Sequence, residues 1–160
     1  MYDFKPAPSI SKSELYGDLL TAADGLTSGE SDAVANMANV AALLWEFIPE
    51  LNWAGFYRVI EGELVLGPFA GRPACNRIPF GQGVCGAAAA SGATQLVPDV
   101  HAFPGHIACD AASRSELVVP VFRRGAVHAV IDLDSPTAAR FDIADAQGVE
   151  ALARLLGERI

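Results

Sequence analysis

Two short polar turns, Glu61-Gly62 and Arg124-Gly125, each lie between apolar runs rich in β-branched and aromatic residues. Such a run folds back on itself as an antiparallel hairpin. Residues 53–60 and 64–68 are the predicted strands around the first turn, and 117–122 and 126–133 those around the second. Ahead of them, residues 32–47 place Val34, Met37, Val40, Ala41, Leu44 and Phe47 at helical spacing, with Ser31 as a cap and Pro49 as a stop. Residues 11–26 form an earlier helix, with Ser11 or Ser13 as N-cap and Gly25 near its end. Between the hairpins come a short strand at 74–79, an Ala-rich helix at 83–91, a strand at 94–97 and a proline-containing loop at 98–106. An amphipathic helix over 144–159 closes the chain. This order predicts an α+β fold, helices flanking a mostly antiparallel sheet of about six strands.

The 160 residues, 51% hydrophobic and 19% charged, suit one folded domain over 1–160, with residues 1–10 as a flexible N-terminal arm. No internal repeat or linker divides it. A formal charge of -8 leaves no basic face for nucleic acid. No stretch approaches the roughly 18 consecutive apolar residues of a membrane span. The N-terminus lacks an apolar segment behind a basic start, and three cysteines cannot close a fully paired disulfide framework. A reducing, cytoplasmic setting is the expectation.

The run Gly81-Gln82-Gly83-Val84-Cys85-Gly86 formally matches a dinucleotide fingerprint. That fingerprint also needs a following parallel strand ending in an acid about 20 residues on, and here the next strand ends too early, at Pro98-Asp99. Two readings remain for the turn. It needs glycine for its dihedrals, or it presents backbone N–H groups at a helix N-terminus to a small anion such as a carboxylate.

Alternation along 126–135 places Val127, Ala129, Ile131 and Leu133 on one face, with Asp132 and Asp134 on the other. Glu116 opens the preceding strand, so hairpin pairing brings it to the same end. Such carboxylates are costly to bury without compensation. They make a pocket for an ammonium group or a proton donor, unless the strand simply runs out to solvent at Asp134-Ser135-Pro136.

Cys75, Cys85 and Cys109 sit beside loop-forming residues. His101, His106 and Cys109 lie close in sequence and Cys75 or Cys85 could join them, but there is no CxxC knuckle or HExxH pair, so no metal is expected. Cys109 precedes Asp110-Ala-Ala-Ser113, a helix-start pattern that would favour a thiolate. Redox chemistry fits these thiols better than scaffolding.

The runs NWAGFY, ELVLGPFAGRPAC, RIPFGQGVCG, QLVPDVHAFPGHIACD, SELVVP and IDLDSP together resemble the free methionine-(R)-sulfoxide reductases built on a GAF domain. The likeness runs from about Leu15 to the last helix. It implies a GAF-like fold and thiol-dependent reduction of free L-methionine-(R)-sulfoxide to methionine, through a cysteine sulfenic acid and an intramolecular disulfide. Cys109 would be the nucleophile, Cys75 the principal resolving thiol, and Cys85 a second partner or pocket-shaping residue. Glu116, Asp132 and Asp134 would hold the substrate amino group and assist protonation of the sulfoxide oxygen. Trp53 and Tyr57, at i and i+4 on one strand face, would pack against the methyl-sulfur end. The resemblance further implies thioredoxin as external reductant, no cofactor, a role in oxidative stress, and a homodimer. Two positions depart from the family pattern: Ala70 stands where Gln is expected and Gln82 where Lys or Arg is usual. Neither is expected to touch a cysteine or a pocket acid. The rival readings are a GAF sensor domain that binds a small ligand without chemistry, and a reductase of peptide-bound sulfoxide.

Overall fold

Both N-terminal helices start at side chains that satisfy their own first turns. In the computed structural model, which describes residues 5, 6, 10–105 and 111–160, Ser11 and Glu14 form a capping box at the head of α1 (Lys12–Thr27). Asp32, one residue beyond the predicted Ser31, caps α2 (Ala33–Phe47) by accepting from the Ala35 N–H. Asp142 and Asp145 form a second capping box at α4 (Ile143–Leu156). The N-terminal arm otherwise falls outside the described residues.

Six strands follow the predicted order: β1 (Trp53–Ile60), β2 (Glu63–Gly71), β3 (Arg77–Pro79), β4 (Gln95–Val97), β5 (Ser115–Arg123) and β6 (Ala126–Ser135). The helix α3 (Gly83–Ser91) lies between β3 and β4. Both hairpins form, with Glu61 and Arg124 at positive φ ahead of Gly62 and Gly125, as tight two-residue turns require. The sheet order is β3-β2-β1-β6-β5-β4, and every described pairing is antiparallel. β2 extends past the predicted 64–68, while only 77–79 of the predicted 74–79 pairs as a strand. No helix among the described residues is long and apolar enough to cross a membrane.

The sheet separates two apolar layers. Ala54, Phe56, Leu117, Val119, Val121, Ala129, Ile131 and Leu133 face α1, α2 and α4. The opposite face carries Trp53, Tyr57, Leu64, Val118 and Val130 against Val84, Cys85, Ala88 and Ala89 of α3. One expectation fails here. Val127 packs with this second layer, not with Ala129, because a bulge shifts the register between Val121↔Ala129 and Phe122↔Val127. An extra residue in one strand reverses the side-chain alternation beyond it.

Helices α1 and α4 are locked together at Gly148, whose missing Cβ leaves room for the Tyr16 ring. The Tyr16 hydroxyl donates to buried Asp145 at 2.9 Å, and Lys12 Nζ and Arg140 Nη1 donate to the same carboxylate at 2.6 and 3.4 Å. Removing the carboxylate leaves the buried Tyr16 hydroxyl without its acceptor, and leaves Lys12 with Asp142 alone and Arg140 with the Pro49 carbonyl alone. Asp145→Ala is therefore expected to cost about 3 kcal/mol of stability, read by urea denaturation, with substrate affinity little changed.

Candidate active site

Strand pairing gathers the acids. Glu116 of β5 lies opposite Asp134 of β6, and Asp134 lies opposite Trp53 of β1 on its other side. Asp132 is flanked in the same way by Val118 and Gly55. Because β6 runs between β1 and β5, acids from two strands and rings from a third share one face of the sheet. They line a cleft of about 530 Å³, counted to its open mouth, together with Cys85, Gln82, Gly83, Val84, Pro73, Ala74, Ile78 and Ser113.

Trp53 stacks on Tyr57 with ring centroids 5.8 Å apart and on Phe69 at 5.2 Å. The Trp53 indole donates to the Arg72 carbonyl at 3.1 Å and the Tyr57 hydroxyl to the Cys75 carbonyl at 3.0 Å. Both aromatic side chains thus tie β1 to the segment carrying Cys75. Burial, reinforced by Asp132, pushes the Tyr57 hydroxyl well above its ordinary pKa and keeps it a donor.

The glycine turn forms the roof. Gly81 and Gly83 have φ of 81° and 62°, and a Cβ on Gly86 would collide with the Pro79 carbonyl. All three glycines answer to local geometry, and β3 joins the sheet antiparallel through β2, so the dinucleotide fingerprint is excluded. The N-cap of α3, Gln82, makes no side-chain cap; the Gly83 N–H donates to the Gly105 carbonyl at 3.2 Å, so any anion in the cleft would meet the N–H groups that follow it, at Val84 and Cys85. Gln82 itself lines the cleft. Ala70 instead pairs with Ala54 across β1 and β2 and does not line the cleft.

Glu116 and Asp132 are 7% and 6% exposed, and Asp134 is half-buried. Burial, then repulsion from Asp132 and Asp134, raises Glu116 well above the carboxylate range. Asp132 is raised by burial to about 7, held back by hydrogen bonds with Cys85 and Glu116. Cys85 is a buried free thiol raised by burial and by the same two acids, so it stays protonated at neutral pH. Cys75 is half-buried and disulfide-bonded. Cys109, the expected nucleophile, lies outside the described residues, as does His106.

The raised acids have a consequence for stability. A carboxyl whose folded pKa exceeds its unfolded value retains a proton in the native state that the unfolded chain has released. Stability of the substrate-free protein is therefore expected to fall as pH rises from about 4 to about 7 through Asp132. Thermal melts across that range check this, and an ammonium ligand should flatten the slope.

Sequence reasoning found all six acids, rings and thiols that line the cleft. It missed Ser113, whose hydroxyl accepts from Asn52 Nδ2 at 3.0 Å, and the apolar wall of Ala74, Ile78 and Val84. Nothing local distinguishes those residues from ordinary loop and core positions.

Residues 35–160 match the GAF domain family. The free methionine-R-sulfoxide reductase of Escherichia coli is 48% identical, the match covering 89% of this chain and 87% of that protein. The Saccharomyces cerevisiae protein of the same name is 42% identical, covering 94% and 88%. This chain belongs to the GAF-domain free methionine-R-sulfoxide reductase family. Its fold matches the crystal structure of a Neisseria meningitidis family member in complex with its substrate at a TM-score of 0.94, with 46% identity, covering 99% of this chain and 95% of that one. GAF domains at 16% identity still superpose at a TM-score of 0.83, so the fold extends well beyond the reductase family.

Proposed function

We propose that this GAF domain reduces free L-methionine-(R)-sulfoxide to methionine in the cytoplasm, as a homodimer served by thioredoxin and without a cofactor. The observation carrying this reading is a cleft with carboxylates at its base and, at its roof, a helix start that has no side-chain cap. The acids complement an ammonium group and the helix N–H groups a carboxylate, which together describe a free amino acid. Trp53 and Tyr57 offer an apolar wall to a thioether end.

In the proposed reaction the Cys109 thiolate attacks the sulfoxide sulfur. A protonated pocket carboxyl, Glu116 or Asp132, delivers a proton to the oxygen, which transfers to Cys109. Methionine leaves and Cys109 becomes a sulfenic acid. The Cys75 thiol then condenses with it, releasing water and forming a disulfide, which a dithiol such as thioredoxin reduces by exchange. Two thiols are oxidised as one sulfoxide is reduced. That Cys75 is disulfide-bonded while Cys85 is a free thiol supports Cys75 as the resolving partner.

A peptide-bound methionine sulfoxide has neither the free ammonium nor the free carboxylate, and both ends of the cleft would be left unmatched. Discrimination on that scale is typically about 10⁴-fold. Supplying free and N-acetylated methionine-(R)-sulfoxide with dithiothreitol and measuring methionine-type product checks it. The expected result is turnover of the free form alone. Equal turnover of both would indicate a peptide reductase, and turnover of neither a ligand sensor.

A further inference from the structure

Cys85, Glu116 and Asp132 converge more tightly than holding an ammonium group requires. One ligating atom from each, a sulfur and two carboxylate oxygens, all lie within 4.8 Å of one another. Cys85 Sγ stands 4.0 Å from Glu116 Oε1. All three residues are buried. Asp132 Oδ1 has no hydrogen-bond partner among the described residues, although it is shielded in the wall of the cleft. A buried carboxylate oxygen without a donor is costly, and a cation relieves that cost directly.

We propose that this cluster is a binding site for a thiophilic divalent cation of the zinc class. Cys85 would ligate through sulfur, Glu116 and Asp132 through one oxygen each, and the fourth position would open into the cleft. Tetrahedral zinc takes sulfur at about 2.3 Å and oxygen at about 2.0 Å, which sets one sulfur and two oxygens roughly 3.3–3.5 Å apart. Rotation about the terminal torsions of the two carboxyl side chains closes the present spread. The donor set selects the metal. Magnesium and calcium take oxygen ligands, whereas a thiolate with two carboxylates suits zinc or cadmium. Binding displaces to solvent the Cys85 proton and any proton that Glu116 or Asp132 holds, and no electron moves. Cys85 could join the His101, His106 and Cys109 group considered from the sequence, but Glu116 and Asp132 were no part of it. Bound cation would occupy the acids assigned above to the substrate ammonium, making the metal a reversible inhibitor. That consequence rests on the substrate reading, but the binding itself does not.

The test uses the full chain with Cys75→Ser and Cys109→Ser, which leaves Cys85 as its one cysteine. Cadmium is titrated while the ultraviolet absorption of a cadmium–thiolate bond is followed. One equivalent should bind, magnesium should not compete, and further substitution Cys85→Ser should abolish the band. Adding Glu116→Gln or Asp132→Asn should weaken binding at least about 10-fold, with thermal melts confirming that each variant is folded. Absence of the band at one equivalent overturns the proposal. So does binding that both carboxyl substitutions leave unchanged, since that would be a lone thiol and not a site. Because no step reads turnover, failure here is distinguishable from failure of the reductase assignment.

Discussion

Cys109→Ser is expected to lower methionine-(R)-sulfoxide turnover by about 10⁴-fold or more, as loss of a covalent nucleophile does. A hydroxyl is far less acidic than a thiol, and no oxygen counterpart of the sulfenic acid forms. Binding of free methionine should persist, because the acids and rings that line the cleft are untouched. The described flanks of the segment carrying position 109 support its role at the cleft. The Gly105 carbonyl accepts from the Gly83 N–H at the head of α3 at 3.2 Å, and the Ser113 hydroxyl accepts from Asn52 at 3.0 Å. Arg114 N–H further donates to the Ser135 carbonyl at 2.7 Å. The control is Cys75→Ser, which should release one methionine per chain in a rapid first turnover and then recycle slowly with thioredoxin. Quenched-flow measurement of methionine separates the two variants. Wild-type turnover in Cys109→Ser would rule out the nucleophile assignment.

Asp132→Asn is expected to act in opposite directions on activity and stability. Loss of a positioned acid and of an ammonium partner should lower kcat/KM by about 10²–10³-fold. The same substitution removes a carboxyl that the fold holds above its ordinary pKa through burial. At pH 8 the substrate-free variant should therefore be more stable, by on the order of 1–2 kcal/mol, and its melting temperature should vary less between pH 5 and 8. Side-by-side melts and initial rates decide the matter. Destabilisation at pH 8 together with full activity would show that Asp132 is a structural acid. The comparison exploits a general conflict, in which like charges packed for binding are strained until the ligand arrives.

The two hairpins were legible because turn chemistry is local: Glu61-Gly62 and Arg124-Gly125 adopt the positive φ that their strands demand. Helix α3 begins and ends at the predicted residues because Gly83 follows a tight turn and Gly92 supplies a left-handed cap. The face of Val127 was misjudged, since a bulge depends on how two strands meet and leaves no mark in the alternation of one.

Within the site, residue types and family motifs named the thiols, the acids and the rings, because the chemistry of each is a property of its own side chain. Pairing of β1 with β6, which sets Trp53 opposite Asp134 although about 80 residues separate them, was decided by the tertiary structure alone. So were the burial that raises Asp132 and Glu116 and the free state of the Cys85 thiol. Periodicity and turn residues report local conformational preference. A shifted pKa instead reports how much water and charge the whole fold leaves around a group, and only the packed chain sets that.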